Sequence, residues 1–220
     1  YINLLSDPAS KSPRIYSQLQ FKIGKSSLDL KLNEEGLAAL QEAVITEPTN
    51  YQFRRALAEA YLRFDLIEDA KSSARVALQI SPHELDNILW YSNFMLANGE
   101  TQKAIASLKD AIIQSPNNRE LYISLSRLYI SINDYVSAKS ILNDMINLED
   151  ISIHEMSNAA SIFFHLNDID KASSLIQKAI SSNGQKSFWD LDEIIRMLLL
   201  IGEFETAKEL VIENEVIFGS

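Results

Sequence analysis

The chain has no cysteine among its 220 residues, so disulfides, thiolate metal sites and a cysteine nucleophile are excluded together. Glycine and proline are scarce, at 6 and 5 residues, which leaves few places where the backbone must break or turn left-handed. There is little positive charge to set against the negative. Lys and Arg number 20 against 30 Asp and Glu, a formal net charge of −10. A nucleic-acid footprint needs a clustered basic surface, and adhesion to an anionic membrane needs the same; neither is expected. No apolar run reaches the roughly 18 residues that cross a bilayer, and the best candidate, Ile194 to Ile201, is interrupted by Arg196. Direct membrane insertion is therefore not expected. The chain opens on Tyr1 and shows no signal-peptide pattern, which reads as a fragment or processed protein. Cytoplasmic and periplasmic surroundings suit it equally.

What is present is self-similarity. Leu57, Ala58, Tyr61, Ala70, Ala77 and Pro82 are answered by Tyr91, Ser92, Met95, Ala104, Ala111 and Pro116, each 34 residues further on. Large answers large, small answers small, and proline answers proline. Helix-period segments alternate with short breaks at 17–30 and 34–46, 51–64 and 67–80, 85–97 and 101–114, 119–132 and 135–148, 153–166 and 169–182, and 188–201 and 204–216. No segment sustains the alternation of a strand. Pro82 and Pro116 stop helices that cannot continue through them. Asn98-Gly99 and Asn183-Gly184 supply residues that accept a left-handed backbone. Asp65, Asn133 and Asn167 hold the place of Gly99 in their own units, so all four are expected to end a first helix and reverse the chain. Residues 1–16, with Pro8, Pro13 and the polar Ser10 to Ser12, read as a lead-in.

A 34-residue helix–turn–helix with this order of large and small residues resembles the tetratricopeptide repeat. The resemblance covers 17–220 as a single array of about six repeats, near 17–50, 51–84, 85–118, 119–152, 153–186 and 188–220. The fourth substitutes Met145 for an alanine and Asp150 for the proline, the sixth needs one extra residue before it, and the first has Ser27 where an aromatic is usual. The resemblance implies an all-α α-solenoid, a right-handed superhelix of antiparallel helix pairs. One pair cannot bury its apolar face alone, so stacking is compulsory. The small residues Ala58, Ser92, Ser126 and Ala160 let a second helix approach closely, with Ala70, Ala104, Ala138, Ala172 and Ala207 opposite.

Motifs for chemistry are incomplete. Gly24-Lys25-Ser26 ends like a phosphate-binding loop, but Leu19 stands where its first glycine belongs. Gly24 is explained as the small packing residue of the first repeat. His154-Glu155 begins like a zinc-protease helix, but Asn158 replaces the second ligand. Glu34-Glu35 and Glu68-Asp69 lie at helix starts, where the dipole favours them. Neither cofactor, metal nor catalytic residue is expected, and an enzymatic role would need a domain outside this segment.

The resemblance implies instead a groove lined by the first helix of each pair, at positions 2, 5, 9 and 12 of the repeat. On this sequence the groove set is Arg55, Glu59, Leu89, Asn93, Leu96, Ile123, Arg127, Ile130 and Phe164. An apolar floor with a few hydrogen-bonding anchors suits an extended or helical peptide. The family's carboxylate-clamp specialisation is not expected: Arg55 and Asn93 fit it, but Glu59, Glu120 and Ser124 stand where amide and basic groups are required. The expected role is thus a protein–protein interaction scaffold without catalysis. The alternative is a self-assembling segment, or a structural repeat segment of a larger multi-repeat protein; its motive is the C-terminal repeat, where Val211, Ile212, Val216, Ile217 and Phe218 leave an apolar face.

Overall fold

The computed structural model describes residues 12–182 and 186–214. Pro8, Ser10, Asn183-Gly184, Val216, Ile217 and Phe218 lie outside the described residues. Among the described residues there are twelve helices and no strand: α1 (Pro13–Asp29), α2 (Asn33–Thr46), α3 (Tyr51–Leu62), α4 (Ile67–Ile80), α5 (Leu85–Ala97), α6 (Thr101–Gln114), α7 (Arg119–Ser131), α8 (Tyr135–Ile146), α9 (Ile153–His165), α10 (Ile169–Ser181), α11 (Phe188–Ile201) and α12 (Phe204–Glu213). Four of them, α4 to α6 and α11, have the bounds that periodicity predicts. The chain forms two compact units, Tyr1–Gln114 and Ser115–Ser220. In the first, α1 to α6 pack in sequence, each helix on the next; in the second, α7 to α12 do the same and α9 also meets α11.

The helix ends have local causes. Asn50 accepts from the Gln52 and Phe53 amides at 3.1 and 3.3 Å, closing the open start of α3. Ser152 with Glu155, and Ser187 with Asp190, form reciprocal capping boxes at α9 and α11. One boundary differs from expectation: α1 begins at Pro13, inside the segment read as lead-in. Proline is a helix breaker in the interior, but at the first position its fixed φ fits and its missing N–H costs nothing.

The turn inside each pair shows the 34-residue register at the backbone. Asp65, Gly99, Asn133 and Asn167 all have positive φ, at 58°, 78°, 62° and 56°, as the chain reversal requires. Lys31 (63°) and Gly202 (88°) complete the set at the same place in the first and sixth repeats. The turn geometry prevails at Lys31 despite a side chain that disfavours it.

The core follows the same register. Ala58, Ala60, Ala70, Ala74 and Ala77 are fully buried in the first unit, and Ala138, Ala159, Ala160, Ala172 and Ala179 in the second. Leu40, Ala43 and Val44 of α2 share one cluster with Leu28 of α1 and with Phe53, Ala56, Leu57 and Ala60 of α3. The second helix of a pair therefore packs on its own partner and on the first helix of the next pair. Gly24 and Gly36 face each other where α1 crosses α2. A Cβ at Gly24 meets Leu40 Cγ at 2.6 Å, and one at Gly36 meets Leu28 Cγ at 2.7 Å. The expected packing role of Gly24 is what the backbone shows.

Candidate functional site

The first helices of successive pairs lie beside one another within each unit, so residues at fixed repeat positions form rows. In the first unit the row runs across α1, α3 and α5. Arg55 extends from α3, donates to Asp86 of α5 at 2.5 Å and lies over the Trp90 ring, 4.9 Å from its centroid. The Trp90 indole N–H donates to Glu59 Oε1 at 2.9 Å. Lys25 of α1 sits over the Phe21 ring at 5.7 Å, and Phe21 stacks on Phe53 at 4.8 Å. Phe21, Lys25, Gln52, Arg55, Glu59 and Asp86 line an open cavity of about 350 Å³. Leu89 and Leu96 are half-buried on α5 and Asn93 is exposed between them.

In the second unit the sequence-predicted residues divide. Arg127 is exposed on α7, and Ile130 of α7 and Phe164 of α9 are half-buried. Ile123 is only 4% accessible, and that small exposed part lines a cavity at the starts of α7 and α9. Ile130 lines a mainly apolar cavity of about 520 Å³ with Tyr135, Val136, Lys139, His165, Leu166 and Asn167. A second cavity, about 410 Å³, opens at the starts of α7 and α9 between Arg119, Glu120, His154 and Glu155. Arg119 Nε is 3.3 Å from Glu155, and His154 Nδ1 is 3.2 Å from Glu193 of α11.

Phe21 and Lys25 escaped the sequence reading although they occupy groove positions of the first repeat; extending the same register to 17–50 finds them. Trp90 stands at the sixth position, outside the groove set, and enters the row only because Arg55 lies across its ring. No sequence signal marks that contact.

A further feature lies away from these rows. Lys71 of α4 donates to Glu100, just before α6, at 2.8 Å, and Lys139 of α8 to Asp168, just before α10, at 2.9 Å. Ser173 of α10 donates to Glu203, just before α12, at 2.5 Å. All three donors hold the twenty-first place of a repeat and all three acids the sixteenth place of the next, so each is a strut between consecutive pairs. The hydrogen bond from Lys71, then that from Lys103, holds the Glu100 carboxyl down to about 2. The Lys139 hydrogen bond lowers Asp168 against the opposing effect of burial. Because the folded value of Glu100 lies below its unfolded value of 4.5, the stability it adds is present above that value. It is lost as pH falls from there toward about 2. A carboxyl NMR titration is expected to place Glu100 near 2 in the wild type and closer to the ordinary range in Lys71→Met. An unchanged Glu100 in that variant removes the strut.

Among the described residues no three His, Asp or Glu gather as a metal site, and no helix is long and apolar enough to cross a membrane.

Comparison with known proteins agrees with the geometry. Residues 95–150 match the family model for the tetratricopeptide repeat. The bovine (Bos taurus) BBSome complex member BBS4 is 24% identical over 161 residues, which is 73% of this chain and 31% of that protein; the chain thus spans about a third of the length of this curated relative. Among solved structures, PilW, titled a widely conserved type IV pilus biogenesis factor, superposes with a TM-score of 0.52 at 15% identity over 93% of this chain and 94% of its own. PilF of Pseudomonas aeruginosa gives 0.51 at 16% identity over 94% and 95%. At these identities the likeness concerns the fold, which is an all-α solenoid. Fold of this kind serves generally as a protein–protein interaction scaffold. Twelve helices among the described residues that fit about six repeats, left-handed turns in register and a family match across 95–150 give the chain the fold of a tetratricopeptide-repeat array.

Proposed function

We propose that the chain is a non-catalytic scaffold that holds a peptide or protein partner on the rows formed by its first helices, with 17–220 acting as one interaction domain. The observation that carries this reading is the α1–α3–α5 row, where aromatic and charged side chains surround an open cavity of about 350 Å³. Such a cavity accepts one or two side chains of an extended segment, and the flanking charges orient it. Arg55 is already held by Asp86 and Trp90. A partner carboxylate therefore gains less there than at an unengaged arginine, because it must displace Asp86 first. Affinity in the first unit then rests on apolar contact with Leu89 and Leu96, with a hydrogen bond from Asn93; in the second unit Ile130 and Phe164 supply the apolar contact and Arg127 the hydrogen bond. The bovine relative is by name a member of a complex, which is in keeping with this role.

Site-specific photo-crosslinking tests it. A photoreactive residue at exposed Asn93 or Arg127 is expected to capture the partner. The same group at exposed Asp110 of α6 or Ser174 of α10 is expected not to. Capture from the second helices alone overturns the assignment.

A second reading is structural: the C-terminal repeat meets another helical repeat, from a second copy or from further repeats of a longer chain. Leu199, Leu200, Phe204, Val211 and Ile212 are exposed on α11 and α12, and terminal repeats normally need a polar outer face. Light scattering separates a self-associating chain from a monomer.

A further inference from the structure

The second unit departs from the repeat pattern at one exposed place. Val136 is the second residue of α8 and holds the eighteenth place of its repeat. The other five repeats carry Glu34, Glu68, Gln102, Asp170 and Glu205 there. The helix dipole favours an acid at such a start and gains nothing from a valine. Val136 is nonetheless 83% accessible, and Tyr135 beside it is 49% accessible. Both line the cavity of about 520 Å³, with Ile130 and Leu166 as its other apolar walls. Much of the polar lining is already engaged. The Tyr135 hydroxyl donates to Asn133 at 2.9 Å, and the Lys139 amine is held by Asp168 at 2.9 Å. What the cavity offers a newcomer is chiefly apolar surface.

Charge narrows the choice of occupant. Residues 115–220 hold sixteen Asp and Glu against eight Lys and Arg, so the second unit carries −8 of the chain's net −10. The turns that frame the cavity add Asp134, Asp168 and Asp170. Lys139 pairs with Asp168, and Lys171 acts on the same carboxyl. The Asp134 carboxylate accepts from the Ser137 amide at 3.0 Å, a neutral donor, and Asp170 is exposed. An apolar opening in a surface of this sign attracts positively charged chains and disfavours negative ones.

We infer that this cavity docks a basic segment of a partner protein, with one large apolar side chain entering beside Tyr135, Val136 and Leu166 and flanking Lys or Arg residues meeting Asp134 and Asp170. The site lies at the turns of the fourth and fifth repeats. It shares only Ile130 with the first-helix residues of the scaffold reading, so it is a second docking place and stands or falls separately. A second copy of this chain fits less well, because its own net charge of −10 opposes the approach.

The test is an amide NMR titration of the full chain with a synthetic peptide that places a tryptophan and a leucine between pairs of lysines. The amides of Tyr135, Val136, Leu166 and Asn167 are expected to shift together. Val136→Glu restores the kind of residue the other repeats carry, so helical content by circular dichroism is expected to stay the same. Binding is expected to fall about tenfold in that variant, although the added carboxylate by itself attracts lysine. Asp170→Lys is expected to weaken binding about threefold. A peptide with glutamates in place of the lysines is expected not to bind. Equal binding of the glutamate peptide overturns the inference, as does the absence of any shift. Shifts centred on Asn93 and Leu96 place the peptide on the first-helix rows, which overturns the inference and leaves the scaffold reading standing. Self-association of the chain that Val136→Glu abolishes assigns the cavity to a second copy and also overturns it.

Discussion

Phe163→Ala is expected to destabilise the second unit by about 3–5 kcal/mol, visible as an earlier denaturant midpoint by circular dichroism. Phe163 is 1% accessible and sits on α9 beside Ala159 and Ala160, both fully buried. Those alanines admit the neighbouring helix, and the phenylalanine fills the space their small side chains leave. Truncation removes its apolar contacts and leaves a cavity that the helices around it close only in part. Phe164, the next residue, supplies the control. It is half-buried and placed on the proposed binding face, so Phe164→Ala is expected to cost clearly less stability. Equal losses at the two positions contradict the division of α9 into a core face and a binding face.

Gly24→Leu is expected to cost the first unit about 3 kcal/mol, at the upper end of overpacking. A Cβ alone would lie 2.6 Å from Leu40 Cγ and 3.0 Å from the Gly36 carbonyl oxygen. Leu40 is fully buried and cannot swing to solvent, and the carbonyl belongs to the backbone of α2. The two helices must separate, which also opens the cluster shared with α3. The gain from replacing a glycine inside a helix, about 1 kcal/mol, does not offset this. In a double-mutant cycle, Leu40→Ala is expected to recover part of the loss, since the two sites couple through contact. Gly99→Ala makes the contrast: nothing lies within 4 Å of a Cβ there, and its φ of +78° is the sole obstacle. Its cost is about 1 kcal/mol, conformational and not steric.

Much of the fold was legible because the repeat enforces one solution six times over. Asp65, Asn133 and Asn167 could be assigned to left-handed turns only by their alignment with Gly99, and the backbone places all of them there. Lys31 was not legible, since a lysine carries no such signal and the geometry comes from the turn around it. The start of α1 was missed because Pro13 in a polar stretch reads equally as a loop or as the first residue of a helix. On the candidate faces, register alone selects Arg55 and Glu59 but cannot show that Asp86 and Trp90 already engage them. Ile123 has the register of a binding residue and the burial of a core residue, yet it lines a cavity at the starts of α7 and α9; how much of it is reachable depends on side-chain packing, which a one-dimensional pattern does not contain. The lysine–acid struts escaped for a related reason. They join the twenty-first place of one repeat to the sixteenth of the next, and two of the three donors are lysines whereas the third is Ser173.

The central claim is that the first-helix faces hold another polypeptide. Affinity capture from native lysate, run in parallel with the wild type, Leu96→Asp and Arg127→Glu, tests it most directly. The account expects a partner retained by the wild type and lost by both variants, with helical content and melting unchanged because Arg127 is exposed and Leu96 only half-buried. Retention of that partner by both variants contradicts it.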